Sequence, residues 1–287
     1  LRPVRRIIAA LVEKKRMLLF NCGDYRKTGL RRSAPGKKGE RPVKTDIHVH
    51  LIPPELASGA DAPALGPEAL EARCRSGGAE RAVIQGWPFR SLEDCRVQNQ
   101  AILQALRTRP DFFRGFCAAA PGAGAAALEE AAACLDAGCS GVGELDPVRQ
   151  GFSLEDPVFL DLCALCEERG RVLCLHLDMT VGREGGGRAV LPADCLRLIE
   201  ARPNLRLLLP HCGGGLPFYA LMPEVARKLK NVWFDAAPEA CVLPPRAADC
   251  ARLCLGADRL LFGSHLPGPV FDAGPCWDLP EEWEGML

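Results

Sequence analysis

The sequence predicts an α/β chain folded as a (β/α)8 TIM barrel, and three observations predict it. From residue 43 onward strand-like and helix-like segments alternate, eight of the first kind and seven of the second. Most of the strand candidates are short, continuous apolar runs, as expected of parallel strands covered on both faces. All five histidines, His48, His50, His176, His211 and His265, fall at the C-terminal ends of such runs. In a barrel that rim is where catalytic groups converge. An open doubly wound sheet is the competing arrangement, but no Gly-rich dinucleotide fingerprint follows the first strand.

The strand candidates end at His50, Gly86, Ala119, Asp146, Asp178, His211, Ala236 and His265. Helical patterns lie between them, near 66–76, 93–108, 124–137, 155–169, 192–202, 217–229 and 245–255. The second starts behind Ser91 with Asp94 three positions on, a spacing that resembles a capping box. The fourth places Phe159, Leu162, Cys163 and Cys166 on one face and stops at Gly170. Cys163 and Cys166 therefore read as one turn of core, not as a redox or zinc pair. The eighth helix is the exception. Only 22 residues follow His265, with Pro267, Pro269, Pro275 and Pro280 among them, so Pro280–Leu287 can supply no more than a short helical turn. The last seam of the barrel is expected to be poorly covered, or closed by the N-terminal extension.

Composition narrows the function classes. The chain has 287 residues, 48% of them apolar, and 36 basic against 36 acidic side chains. That balance argues against a nucleic-acid or membrane role for the chain as a whole. Residues 1–44 carry 14 basic and 3 acidic positions, a local charge of +11, and read as a basic extension and linker ahead of a barrel at 45–287. A transit peptide or a polyanion-binding arm would share this composition, as would a plain solvated extension. The first residue is Leu, which reads as an incomplete chain or an unusual start codon. Gly36-Lys37 lacks the upstream glycine of a phosphate loop, because Arg31 stands there. Fifteen scattered cysteines, no signal-peptide pattern and no apolar run of 18 residues read as reduced thiols in a cytoplasmic protein.

The chemistry starts from His48 and His50. In a strand, an i, i+2 pair places both imidazoles on one face, a common beginning for a transition-metal site. For any single histidine a satisfied core imidazole is the ordinary explanation; five at strand ends favour a shared ion. Glu144 ends strand 4 beside Gly141 and Gly143, which leave room around it, and Asp235 ends strand 7. Asp235 could orient a ligand histidine or touch substrate. Asp146 and Asp178 lie just beyond strands 4 and 5. Gly213-Gly214-Gly215 offers backbone N–H groups to an anion, or simply turns the chain. The rim loops 51–64 and 178–191 would shape the pocket, where Arg183 and Arg188 could hold a substrate carboxylate. A thiol mechanism is disfavoured. Cys212 and His211 are strand neighbours that point to opposite faces, and Cys174 lies one layer deeper than His176.

These segments together, D-I-H-V-H-L, G-V-G-E-L, L-C-L-H, L-P-H-C-G-G-G-L-P-F, N-V-W-F-D and D-R-L-L-F-G-S-H-L-P, resemble the amidohydrolase superfamily over about residues 43–268. Within it the likeness is to the branch of aminocarboxymuconate-semialdehyde decarboxylase-like metal-dependent hydrolases. The resemblance implies a divalent metal, usually zinc, held by His48, His50 and His176, with Glu144 as a further ligand. His211 would bind a second metal or position a bound water. The chain departs from the family at His265, where the pattern has an aspartate that touches metal and moves a proton. The resemblance implies hydrolysis of a small amide, lactone or ester by an activated water, with His211 and His265 as catalytic groups. Non-oxidative decarboxylation of a small carboxylated substrate is the alternative, and a metal-binding barrel impaired by His265 is a third. The partner expected is a small molecule, and a homo-oligomer is compatible with this reading.

Overall fold

The computed structural model describes residues 43–60, 62–177, 190–237, 246–268 and 278–287. Most of the predicted extension, and Asp178, Arg183 and Arg188, lie outside the described residues. Eight parallel strands run in the order β1 to β8: Thr45–His50, Arg81–Gln85, Phe113–Cys117, Gly141–Leu145, Val172–Leu175, Arg206–Leu209, Val232–Asp235 and Leu260–Leu261. Helices α1 (Pro67–Ser76), α2 (Leu92–Thr108), α3 (Ala125–Asp136), α4 (Pro147–Gln150), α5 (Pro157–Glu168), α6 (Pro192–Ala201), α7 (Pro223–Lys228) and α8 (Arg246–Leu255) alternate with them. The fold is a (β/α)8 barrel.

Local chemistry sets these boundaries. Ser91 caps α2 by accepting from the Asp94 backbone N–H at 3.3 Å, and Asp156 caps α5 from the Val158 N–H at 2.9 Å. Phe159, Leu162, Cys163 and Cys166 of α5 are buried in one layer with the outward side chains of the strands. The segment expected as one helix over 217–229 is different. His211–Leu221 forms 3₁₀ turns, and α7 begins only after Met222. His211, Cys212 and the three glycines Gly213, Gly214 and Gly215 all have positive φ, which interrupts a right-handed helix. Gly213 is required there, because a Cβ on it would come within 2.7 Å of the Phe234 ring.

The end of the chain corrects the expectation about the last seam. After β8 the chain continues alongside β1, with bonds from Ile47 N to Phe262 O (2.8 Å), His265 N to His48 O (2.9 Å) and His50 N to Leu266 O (2.6 Å). The segment from Asp278 then covers the floor of the barrel. Leu279, Trp283 and Met286 pack against the inward side chains Ile47, Val83, Phe116, Val172, Leu208, Trp233 and Leu261. The short helix α9 (Glu281–Glu284) carries Trp283, which is 0% exposed and meets Trp233 edge to face at 5.7 Å. Ser140 Oγ donates to Leu287 O at 2.8 Å, and Arg81 pairs with Glu284 at 2.8 Å. Among the described residues, the segment Phe262–Leu266 closes the seam between β8 and β1, and the C-terminal tail plugs the floor. No described helix is long and apolar enough to cross a membrane.

Candidate metal centre

The mouth opposite this floor gathers all five histidines. The β1 pleat aims the His48 and His50 rings at one point, with their Nε2 atoms 3.0 Å apart. Glu144, at the end of β4, places Oε2 at 3.4 Å from His48 Nε2 and 3.7 Å from His50 Nε2. Its neighbour Gly143 has φ of +117°, and a Cβ there would lie 2.3 Å from Cys174 O, so only glycine lets β4 approach β5 this closely. His211 enters from the turn after β6, its Nε2 at 3.8 Å from Glu144 Oε1. His265 lies four residues beyond β8, and its ring centroid is 5.0 Å from His48, 5.4 Å from His50 and 4.9 Å from His211. Both His211 and His265 are held at positive φ, 54° and 60°. Such strain, about 1–3 kcal/mol per residue, concentrates at functional sites.

The far nitrogens of three rings are fixed by the protein. His48 Nδ1 meets Asp235 Oδ2 at 2.9 Å, His50 Nδ1 meets Gln85 O at 3.1 Å, and His211 Nδ1 meets Ala237 O at 2.9 Å. A proton donated at Nδ1 leaves the Nε2 lone pair for the centre, which is how metal-ligating imidazoles are set. Asp235 is fully buried, and its other oxygen accepts from the backbone N–H groups of His211 (3.0 Å) and Ala237 (2.9 Å). It therefore orients His48 and the β6 turn, and both of its oxygens face protein donors instead of substrate. His176 puts Nδ1 at 2.6 Å from Glu144 Oε1, and its ring centroid lies 5.1 Å from that of His211. Two donor clusters stand out, His48 with His50 and His265, and His48 with Glu144 and His211.

Charge follows the same plan. Burial opposes a proton on His48, but the carboxylates of Asp235 and Glu144 outweigh it and push its pKa up to about 10. Burial and the positive His48 push His50 down to about 3. Burial, then His48 and neighbouring imidazoles, likewise lower His211 and hold His265 well below the ordinary range. Glu144 stays ionised despite burial, because His48 and His176 hold its pKa well below the usual carboxylate value. The site thus accommodates one positive charge between two carboxylates, ringed by neutral imidazoles, and an ion takes that place once His48 gives up its Nε2 proton. That donor set fits a divalent cation. Two nitrogens at about 2.1 Å from one ion are at most about 4.2 Å apart, and the 3.0 Å between His48 and His50 satisfies this.

Three contributors were not singled out from the sequence. Asp46, two positions before His48, accepts from the His48 and Ser264 backbone N–H groups at 3.2 and 3.0 Å and ties β1 to the His265 segment. Burial pushes its pKa up to about 6, against the bonds from Ser264. Its i−2 spacing on the same strand face was the available signal. Trp87, just beyond β2, stands edge to face with His50 at 4.8 Å, and Arg149 of α4 lies 5.1 Å over its ring. Nothing local in the text links these two residues.

A histidine and carboxylate centre at the C-terminal mouth of a (β/α)8 barrel defines a metal-dependent barrel enzyme. The chain belongs to the amidohydrolase family, whose sequence profile matches residues 45–284. Among solved structures it is similar to 2,6-dihydroxybenzoate decarboxylase from Rhizobium, at 18% identity and TM-score 0.62, covering 81% of this chain and 90% of that one. It is similar also to dihydroxybenzoic acid decarboxylase from Polaromonas sp. JS666, which has bound manganese and the inhibitor 2-nitroresorcinol (16% identity, TM-score 0.59, 81% and 89% covered). A third is 4-oxalomesaconate hydratase from Rhodopseudomonas palustris (17% identity, TM-score 0.56, 78% and 82% covered). At these identities the likeness is one of fold. No curated protein sequence matches the chain.

Proposed function

We propose that this chain is a divalent-metal enzyme that decarboxylates a small, carboxylate-bearing molecule without an external oxidant. One observation carries the reading: the centre holds four imidazoles but a single carboxylate, Glu144, facing the ion's place. Asp235 stands behind His48, and position 265 carries an imidazole where the family pattern has an acid. A doubly charged ion in such a set keeps net positive charge, which favours an anionic substrate. His48, His50 and His265 would hold the ion, with Glu144 and His211 beside it, and the ion would supply an electrophile for a substrate oxygen. The nitrogen-rich set suits zinc better than manganese. The Nε2 lone pair of His211, kept neutral by burial, can take a proton from solvent and deliver it to the substrate carbon that carbon dioxide leaves. The structural relatives named as decarboxylases support this reading by fold.

Hydrolysis of an amide, lactone or ester is the second reading. The neutral imidazole of His211 favours it, since its free lone pair can accept a proton from an attacking water. Release of carbon dioxide from metal-loaded protein, screened over hydroxybenzoates and compared with ester and lactone cleavage, separates the two. The decarboxylase reading fails if only the ester or lactone is consumed. Ion uptake without turnover of any of them would leave a metal-binding barrel in which His265 has ended catalysis. The buried free thiols fit a cytoplasmic setting, and a small molecule is the proposed partner.

A further inference from the structure

One donor beside the metal centre has no acceptor. Trp87 is 8% exposed, and its Nε1 is buried without a hydrogen-bond partner. Indole nitrogen can only donate, and a buried unmade bond is costly, so each such atom calls for an explanation. Trp233 and Trp283 share this condition, but they meet edge to face at the apolar floor, with Arg259 4.9 Å over the Trp233 ring, at the end of the barrel away from the histidines. Trp87 instead stands against two rings of the centre, His50 at 4.8 Å and His265 at 6.5 Å with the planes 14° apart.

The surrounding bonds hold Trp87 in place. Its backbone N–H donates to Gln98 Oε1 at 2.8 Å, and Gln98 Nε2 donates to Leu51 O at 3.0 Å. Arg149 covers the indole with its guanidinium 5.1 Å from the ring centroid. That arginine is itself set by α4, where its backbone N–H donates to Asp146 Oδ1 at 2.9 Å. The adjacent Gln150 Nε2 donates to Phe89 O at 2.8 Å and Ala119 O at 2.7 Å, locking α4 onto the loops after β2 and β3. Arg149 Nη2 reaches Gly59 O at 3.3 Å, in the loop after β1. Three rim loops thus converge to fix one indole plane next to the ion's place.

We propose that Trp87 is a specificity-determining residue whose indole N–H donates to a carboxylate oxygen of the metal-held substrate, with Arg149 as the positioning residue that fixes the indole. This rests on the carboxylate reading above and names the side chain that recognises it. The cost of the unpaired N–H in the ligand-free protein is recovered only when an acceptor arrives, which favours carboxylates over isosteres lacking one.

The test uses the full chain loaded with Co2+, whose visible spectrum reports ligands at the centre, and benzoate as the probe. In Trp87→Phe, which keeps an aromatic ring and removes the donor, Co2+ uptake is expected to be unchanged. Benzoate affinity is expected to fall about tenfold, while the ligand-free melting temperature does not fall, because an unsatisfied polar group has been removed. Arg149→Met is expected to weaken benzoate about threefold, and it carries the test if the Phe variant does not fold. Benzoate binding by Trp87→Phe at wild-type strength, with Co2+ retained, overturns the proposal alone. A wild-type spectrum that benzoate does not move removes the carboxylate reading and the role of Trp87 with it.

Discussion

The two ends of this barrel are built from the same eight strands and have opposite contents. The floor is apolar, filled by Ile47, Phe116, Leu208, Trp233 and the inserted Trp283. The mouth, one layer above, buries His48, His50, Glu144 and Asp235 among neighbouring imidazoles and places His211 and His265 on positive-φ backbone. Stability is concentrated at one end, and strain, charge and an unsatisfied donor are tolerated at the other. The two ends should therefore respond separately to mutation.

The largest expected effect is at the mouth. His48→Ala with His50→Ala removes two donors 3.0 Å apart, and elemental analysis should find the ion lost from purified protein while circular dichroism stays native. Metal content at the wild-type level would break the comparison outright. At the floor, Trp283→Ala should cost about 3–5 kcal/mol of unfolding free energy and leave metal content per folded chain unchanged. A loss below about 1 kcal/mol in urea titration would show that the plug is not a stabilising element. Asp235→Asn keeps the volume behind His48 but weakens the orienting bond, so zinc affinity should drop about 10- to 100-fold. Unchanged affinity in competition with a chelator would reduce Asp235 to a turn-forming side chain. His265→Asp should move uptake severalfold from zinc towards manganese, because a carboxylate oxygen suits the harder ion. An unaltered zinc-to-manganese ratio would place residue 265 outside the ligand set.

How much of this could be read from the chain depends on sequence distance. His48 and His50 are legible because strand alternation is a local rule, and Glu144 because Gly141 and Gly143 precede it on the same strand. Barrel order follows from eight apolar runs, five of which end in a histidine or an aspartate. The caps at Ser91 and Asp156 are legible for the same local reason. The floor is not legible, since a proline-rich tail gives no periodic signal and its partner Val43 is reached only in space, through Leu279 N to Val43 O at 3.1 Å. The strand-end position of His176 points to the mouth, where its ring lies 5.1 Å from His211, but its 2.6 Å contact with Glu144 depends on how β4 and β5 pack and has no local signal. The Asp235 contact to His48 spans 187 residues, and no local pattern reports which side of the carboxylate meets a ring.

The smallest effect per group concerns buried thiols outside both ends' central clusters, Cys163 and Cys195 between helices and strands and Cys95 under the rim loops. Burial pushes Cys95, Cys163 and Cys195 up to about 12. In an unfolded chain a thiol titrates near ~8.5. Below that pH both states hold the proton, and the thiols contribute their full stability. Between ~8.5 and about 12 the unfolded chain releases protons that the folded chain keeps, so the unfolded state binds fewer and stability falls as pH rises. By pH ~10 the loss is on the order of 1–2 kcal/mol per thiol. Melting temperature followed from pH 7.5 to 10 should therefore decline, and Cys163→Val, which removes one titrating group from α5, should make the decline shallower. A variant with the wild-type slope would mean that the alkaline loss arises at the mouth, and the separation between the two ends of the barrel would have to be redrawn.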